Sequence, residues 1–199
     1  MDLVLLKSAL ISLLGASYAI EGWEDSVLAE ALSQGLADAN VWLPPVEASF
    51  AVTEGGYDQD ISSLSPIQVL AVAYPWTDGD TFRETAATWR MASPGIICLG
   101  GVEPTVGVTL RIRYRKRYAV QGLNGAPSTS LPDSAQRTLL LAAAHHAYLI
   151  RYRQLSRRPS TAPSDLESCK ELAEIYRKQF EAAVMDGAGT MPAWPQMGL

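Results

Sequence analysis

Leu3, Leu6, Leu10, Leu13 and Leu14 recur at steps of three and four residues, the spacing of a single helical face. The pattern predicts a short amphipathic helix that Gly15 ends. A second helix is predicted from about Asp25 to Ala39. Val27, Leu28, Ala31, Leu32, Gly35 and Leu36 share one of its faces, and Glu30, Gln34 and Asp38 lie opposite. Leu43-Pro44-Pro45 stops it, because a residue before proline is driven out of the helical region. Together they form a helical hairpin.

Between Val46 and Val120 the period shortens. Ala48 to Val52 leads into Gly55-Gly56, and Ile67 to Tyr74 is an apolar run ending at Pro75. Thr85 to Met91 and Ile96 to Leu99 flank Ser93-Pro94-Gly95, a turn signal. The clearest strand is Val106 to Tyr114. Val106, Val108, Leu110, Ile112 and Tyr114 point one way, and Thr109, Arg111, Arg113 and Arg115 the other. Gly122-Leu123-Asn124-Gly125 closes this section with turn chemistry.

Helices return at Ser130-Leu131-Pro132-Asp133, a capping hydroxyl followed by an early proline. The run Leu139 to Ala144, continuing through Ala147 to Ile150, is apolar on nearly every side, so this helix is expected at the centre. Its last turns are read as carrying Arg151, Arg153, Arg157 and Arg158, which suits the negative helix end. A linker with Pro159 and Pro163 leads to Ser164-Asp165-Leu166-Glu167, a capping box. Leu166, Cys169, Leu172, Ala173, Tyr176, Phe180 and Val184 then form an apolar stripe that Gly187 ends.

The order of parts predicts an α+β fold. Residues 1–45 and 128–187 form a helical bundle, 46–127 an inserted antiparallel β lobe, and 188–199 an extended C-terminal tail. Each helical end alone is too thin to be a domain. In the tail, Pro192 and Pro195 favour an extended form around Trp194, which makes Trp194 and Met197 candidate docking anchors on an adjacent subunit or another partner protein.

Composition bounds the function. The 199 residues are 48% hydrophobic and 19% charged, a globular balance that excludes a disordered chain. Two cysteines, Cys98 and Cys169, exclude a disulfide framework and a multi-cysteine zinc site. Asp2 stands where a signal peptide carries positive charge and Lys7 interrupts the apolar run, so a leader is not expected even though Ser17-Tyr18-Ala19 has the form of a cleavage site. No stretch reaches the ~20 apolar residues of a spanning helix, and the expectation is a soluble protein.

The net charge of −5 hides a division along the chain. Residues 1–110 hold 3 basic and 14 acidic side chains, residues 111–158 hold 10 and 1, and residues 159–199 hold 3 and 6. Such a chain satisfies its charges by folding back on itself or against copies of itself. Within the basic segment, Arg111, Arg113 and Arg115 stand ~6.6–7 Å apart on one strand face, and Lys116 and Arg117 extend the row. Three uses are open: a contact with a phosphate backbone or an acidic partner, salt bridges to a neighbouring subunit, or a solvated sheet face.

Catalytic, cofactor and metal chemistry is not marked. His145 and His146 point about 100° apart on a helix and cannot share a metal there, so both are read as packing or hydrogen-bonding groups. Asp78-Gly79-Asp80 begins like a calcium loop, but Phe82 and Arg83 follow where an acceptor and a glycine belong. None of the glycine pairs continues into a phosphate-binding loop.

Several segments together resemble the head–tail adaptor (connector) proteins of tailed bacteriophages and gene-transfer particles. Trp23-Glu24-Asp25 opens a helix that ends before Leu43-Pro44-Pro45, and Tyr57 to Leu64 resembles the segment before the family's first long strand. Ile112-Arg113-Tyr114, then Gly122 to Pro132, is similar to its strand–turn–helix passage. The alanine-rich helix with Ala147-Tyr148 and Arg151 resembles its central helix, and a last helix carries Phe180. The likeness covers roughly residues 20–185. His146, where a small residue is usual, and the long tail after Gly187 depart from the commoner form.

The resemblance implies a structural virion protein with no enzymatic activity and no cofactor. Such a protein is made in the host cytoplasm and forms a ring, a dodecamer in this family, at the head–tail junction. It would dock on the portal protein, extend the DNA channel and meet tail or further neck proteins, with non-specific contact to packaged DNA and none to a membrane. Arg111, Arg113, Arg115, Lys116, Arg117, Arg151, Arg153, Arg157 and Arg158 become candidates for subunit interfaces or the channel wall. A tail-completion or terminator ring protein and a soluble, non-specific nucleic-acid-binding module are the alternatives.

Overall fold

The computed structural model describes residues 2–15, 23–83, 85–101 and 103–188. The fold is α+β, with helices at both ends of the chain and antiparallel sheets between them. It divides into two compact units, Met1–Leu43 with Tyr118–Leu199, and Pro44–Arg117.

In the helical unit, α1 spans Leu3–Leu14. The Asp2 carboxylate caps it by accepting the Leu5 N–H at 3.0 Å. Leu6, Leu10 and Leu14 are buried, whereas Val4, Leu5 and Ile11 face out. Helix α2 spans Asp25–Trp42, three residues beyond the expected end at Ala39. Its last turn is held because the Leu43 N–H still reaches the Ala39 carbonyl at 2.8 Å, and because Trp42 packs among Leu141, Phe180 and Val184. Leu43 itself is extended, as a residue before proline must be.

Helix α3 spans Gln136–Ser156 and is buried on most sides, as its sequence predicts. A single 3₁₀ turn, Asp133–Ala135, leads into it. Gly35 is what brings α2 against it: a Cβ there would sit 2.7 Å from the Ala143 backbone nitrogen. Helix α3 ends before Arg157 and Arg158, which therefore belong to the connection rather than to its last turns. The Leu155 carbonyl closes that connection, accepting Arg158 N–H at 2.9 Å and Thr161 Oγ1–H at 2.8 Å.

Helix α4 spans Pro163–Ala188. The expected capping box at Ser164 is displaced. Proline, which has no N–H to satisfy, takes the first helical position, and Ser164 lies inside the helix. Cys169, Ala173, Phe180 and Val184 are its buried stripe, as expected.

The boundary after the β section falls ten residues earlier than the sequence suggests, at Arg117 rather than 127. Tyr118, Val120 and Leu123 are buried in the helical core. The Asn40 side chain acts as a strand neighbour for Tyr118, accepting its N–H at 2.7 Å and donating to its carbonyl at 3.3 Å.

Among its described residues the other unit holds six strands in two antiparallel sheets. In one, β6 (Thr109–Lys116) lies between β1 (Val46–Ala51) and β3 (Pro66–Ala73). In the other, β5 (Ile96–Gly100) lies between β2 (Asp58–Asp60) and β4 (Thr88–Ser93). Val69, Val72, Leu110, Ile112 and Tyr114 of the first sheet and Ile97 and Leu99 of the second share one core. Two strands start later than their patterns suggest. β4 begins at Thr88, and Ala86 makes only an isolated bridge to Ala73. β6 begins at Thr109, since Gly107 turns the chain at φ 87° and leaves Val106 59% exposed.

Candidate functional site

The alternation of β6 decides where its charges go. Leu110, Ile112 and Tyr114 enter the core, so Arg111 and Arg113 stand on the opposite face. Antiparallel pairing sets Glu47 of β1 opposite Arg113, and Ser49 opposite Arg111. The Glu47 carboxylate then serves both guanidinium groups. Its Oε1 accepts Arg113 Nε and Nη2 at 2.8 and 2.6 Å, and its Oε2 accepts Arg111 Nε and Nη2 at 3.0 and 2.7 Å. Two cations share one anion, so the cluster keeps one positive charge.

Two aromatic rings from the loop after β3 cover the pair. Trp76 is fixed by its backbone N–H, which donates to the Thr109 carbonyl at 2.9 Å. Asp80 accepts the Thr77 N–H at 2.7 Å and turns the chain back toward Phe82. Arg111 lies 4.6 Å from the Trp76 ring centroid and Arg113 4.6 Å from that of Phe82, and the two rings are 5.3 Å apart. The Trp76 indole Nε1 is buried without a hydrogen-bond partner among the described residues. Burial raises the Glu47 carboxyl, but the hydrogen bonds and charges of Arg113 and Arg111 outweigh it and hold the group below the usual glutamate range.

This arrangement changes the reading of the basic row. Arg111 and Arg113 are parts of a clamp within the chain, with Nε and Nη2 of each already committed. Arg115 and Lys116 are half-buried further along β6, and Arg117 is exposed just past its end. The division of charge along the sequence also dissolves here: residues 44–117 hold 7 basic and 8 acidic side chains. The chain folds its charges back on itself in this unit, one of the two outcomes its sequence left open.

Arg151, Arg153, Arg157 and Arg158 belong to the helical unit. Arg151 is half-buried on α3, and Arg153 and Arg157 are exposed without an acceptor among the described residues. Beside them Lys170 lies 5.2 Å from the Tyr152 ring. The docking candidates Trp194 and Met197 lie outside the described residues.

A second polar arrangement runs through the helical core. His145 and His146 on α3 are 6% and 5% exposed. His146 Nε2 is 2.6 Å from Asp38 Oδ2 on α2, and His145 Nδ1 donates to the Ala173 carbonyl on α4 at 2.8 Å. Burial pushes the His145 imidazole below the usual histidine range, against the help its charged form receives from that carbonyl. The histidines are thus hydrogen-bonded packing groups, directed to different helices as their adjacent positions require.

Cys98 and Cys169 are free thiols, and burial raises the latter. Among the described residues no group of three or more His, Cys, Asp and Glu side chains could hold a metal ion, and no helix is long and apolar enough to cross a membrane. Asp80, in the segment that resembles a calcium loop, is occupied as the cap of Thr77.

Sequence reasoning missed Glu47 and Asp38 as partners. Glu47 lies 64 and 66 positions from its arginines, and Asp38 lies 108 positions from His146. One local signal existed for Glu47: it is the single charge in β1, on the side of that strand away from Val46 and Ala48. No protein-family model matches this sequence, and no curated protein matches it.

Proposed function

We propose that this protein is a structural component of a phage-like particle, a head–tail adaptor that forms a ring on the portal and continues the DNA channel toward the tail. The observation that carries this reading is the order of parts. Helices from both ends of the chain close into one unit around α3, and an antiparallel β unit is inserted between them. That is the order implied by the resemblance of residues 20–185 to the adaptors. On this reading the protein works in an assembly, with its copies, the portal and tail or neck proteins as partners.

The charge geometry refines which residues such an assembly would use. Arg111 and Arg113 hold β1, β6 and the Trp76 loop together, so on this reading their part in assembly is indirect. Arg117, Arg153 and Arg157 are exposed and available to a neighbouring subunit or to DNA phosphates. The same commitment of Arg111 and Arg113 weighs against a soluble nucleic-acid-binding module built on the arginine strand. The test is mass under native conditions, for the protein alone and mixed with portal protein. A ring, alone or on the portal, is expected. A monomer at every concentration that does not associate with portal would overturn the proposal.

A further inference from the structure

We propose that the open end of the α3–α4 hairpin is a binding site for a small zwitterion of the amino-acid type, held by Arg137 and Asp186 over an apolar floor. The inference is independent of the adaptor reading and starts from the shape of the helical unit. α3 and α4 run antiparallel: Tyr152 meets Lys170 near their connection, and Leu141 shares a cluster with Phe180 and Val184 toward the other end. There the two helices flank a cleft of about 340 Å³, within the range of roughly 300–1,000 Å³ that small-molecule sites occupy. Arg137, Thr138 and Leu141 of α3 and Gln179, Ala183 and Asp186 of α4 line it. Leu141 is buried and Ala183 half-buried, and together they give the cleft an apolar floor.

The polar side chains of this cleft have no partner among the described residues. Thr138 is 7% exposed, its hydroxyl makes no hydrogen bond to a described residue, and the cleft is the side left open to it. A buried hydroxyl so placed calls for a partner. Arg137 and Asp186 line the same cleft, yet among the described residues they form no ion pair with each other or with any other group. Each also stands at the helix end that disfavours it. Arg137 is in the first turn of α3, where the helix dipole is positive, and Asp186 is in the last turn of α4, where it is negative. Local rules broken with no compensation inside the chain mark places where a protein binds something. The antiparallel pairing sets these two helix ends side by side. A ligand carboxylate is drawn by Arg137 and the start of α3 together, and a ligand ammonium by Asp186 and the end of α4. The Thr138 hydroxyl and the Gln179 amide supply hydrogen bonds, and Leu141 and Ala183 receive a small apolar side chain.

Titration of the full chain with L-leucine, followed by amide chemical shifts or by heat, tests this. Isocaproate and isoamylamine are the comparison ligands, since each keeps the apolar part and lacks one of the two charges. Leucine is expected to bind saturably with a Kd below about 10 mM, and each analogue at least roughly tenfold more weakly. Arg137→Gln should leave leucine binding no better than isoamylamine, and Asp186→Asn no better than isocaproate. Thr138→Val keeps the shape of the wall and removes its hydroxyl, and should weaken leucine roughly threefold or more. Both charge variants should unfold at or above the temperature of the natural chain, because each removes a charge that its helix end disfavours; a loss of binding then reports the site and not the fold. No saturable binding of leucine below about 10 mM, analogues that bind as tightly as leucine, or leucine binding unchanged in both charge variants would each overturn the proposal.

Discussion

Glu47 lies directly across the strand pair from Arg113, and its Oε1 takes two hydrogens from that guanidinium while Oε2 takes two from Arg111. One carboxylate therefore fixes the register of β1 on β6 and the height of two side chains on which Trp76 and Phe82 rest. Each guanidinium presents a rigid planar fork, so both must be correctly placed for the carboxylate to serve them together.

The pH dependence of this clamp has a definite sign. Glu47 is held below its ordinary range in the folded chain, so it binds fewer protons there than when unfolded. Its contribution is present above the unfolded value of about 4.3 and is lost as pH falls below that, through the folded value. Glu47→Gln should therefore lower stability at neutral pH by about 1 kcal/mol, since the three side chains are partly exposed. It should also flatten the acid limb of the stability profile. Urea midpoints from pH 7 downward check this; identical acid limbs in the two proteins would mean the clamp contributes nothing.

Charge reversal along the basic row is expected to separate two kinds of arginine. Arg113→Glu puts a second carboxylate against Glu47 and strips Phe82 of its cation, which should cost about 2 kcal/mol and loosen the β unit. Arg117→Glu, at an exposed side chain, should change stability by no more than about 0.5 kcal/mol. Thermal or urea unfolding of the two variants side by side is the measurement. From the sequence alone, with the apolar face of the strand still packed, changing Arg111, Arg113 and Arg115 to Glu is expected to alter fold stability little. The Glu47 pairing corrects this for Arg111 and Arg113.

Gly35→Ala should behave against helix propensity. In a free helix the change is worth about 1 kcal/mol in favour of alanine. Here the new Cβ would meet the Ala143 nitrogen at 2.7 Å and its Cα at 3.0 Å, both backbone atoms that can yield only by moving α3 off α2. A net loss of about 1–3 kcal/mol is expected, read from the urea midpoint. A variant as stable as the natural chain would show that the two helices have slack the structure does not display.

The elements that could be read from the sequence are those whose burial repeats locally. α1 and α4 show one apolar stripe, α3 is apolar all round, and β6 alternates strictly from Thr109 onward. What could not be read depends on pairing at a distance. β2 is three residues, Asp58-Gln59-Asp60, with no apolar alternation; the buried Gln59 amide, bonded to the Gly56 carbonyl at 2.8 Å, does the work of a hydrophobic side chain. The β boundary at Arg117 depends on Asn40, 78 positions before Tyr118. The arginine row was visible as a charge pattern, but its meaning was set by Glu47, which only the strand order β1-β6-β3 brings to it.

The exposed arginines at the end of α3 carry the last prediction, which belongs to the proposed assembly. Arg153 and Arg157 are exposed and engage no acceptor among the described residues, so changing both to Glu removes no contact of the fold. Stability should move by no more than about 0.5 kcal/mol. If these side chains meet a neighbouring subunit or packaged DNA, the double variant should fold normally yet fail to form rings on the portal, or form particles that leak their genome. Rings of the natural protein should also weaken as salt is raised, because partly exposed charge pairs are screened over about 8 Å at physiological ionic strength. Native mass and electron microscopy of portal mixtures distinguish these outcomes. Normal rings and full genome retention in the folded variant would assign the two arginines to a solvated surface and leave ring contacts to other faces of the molecule.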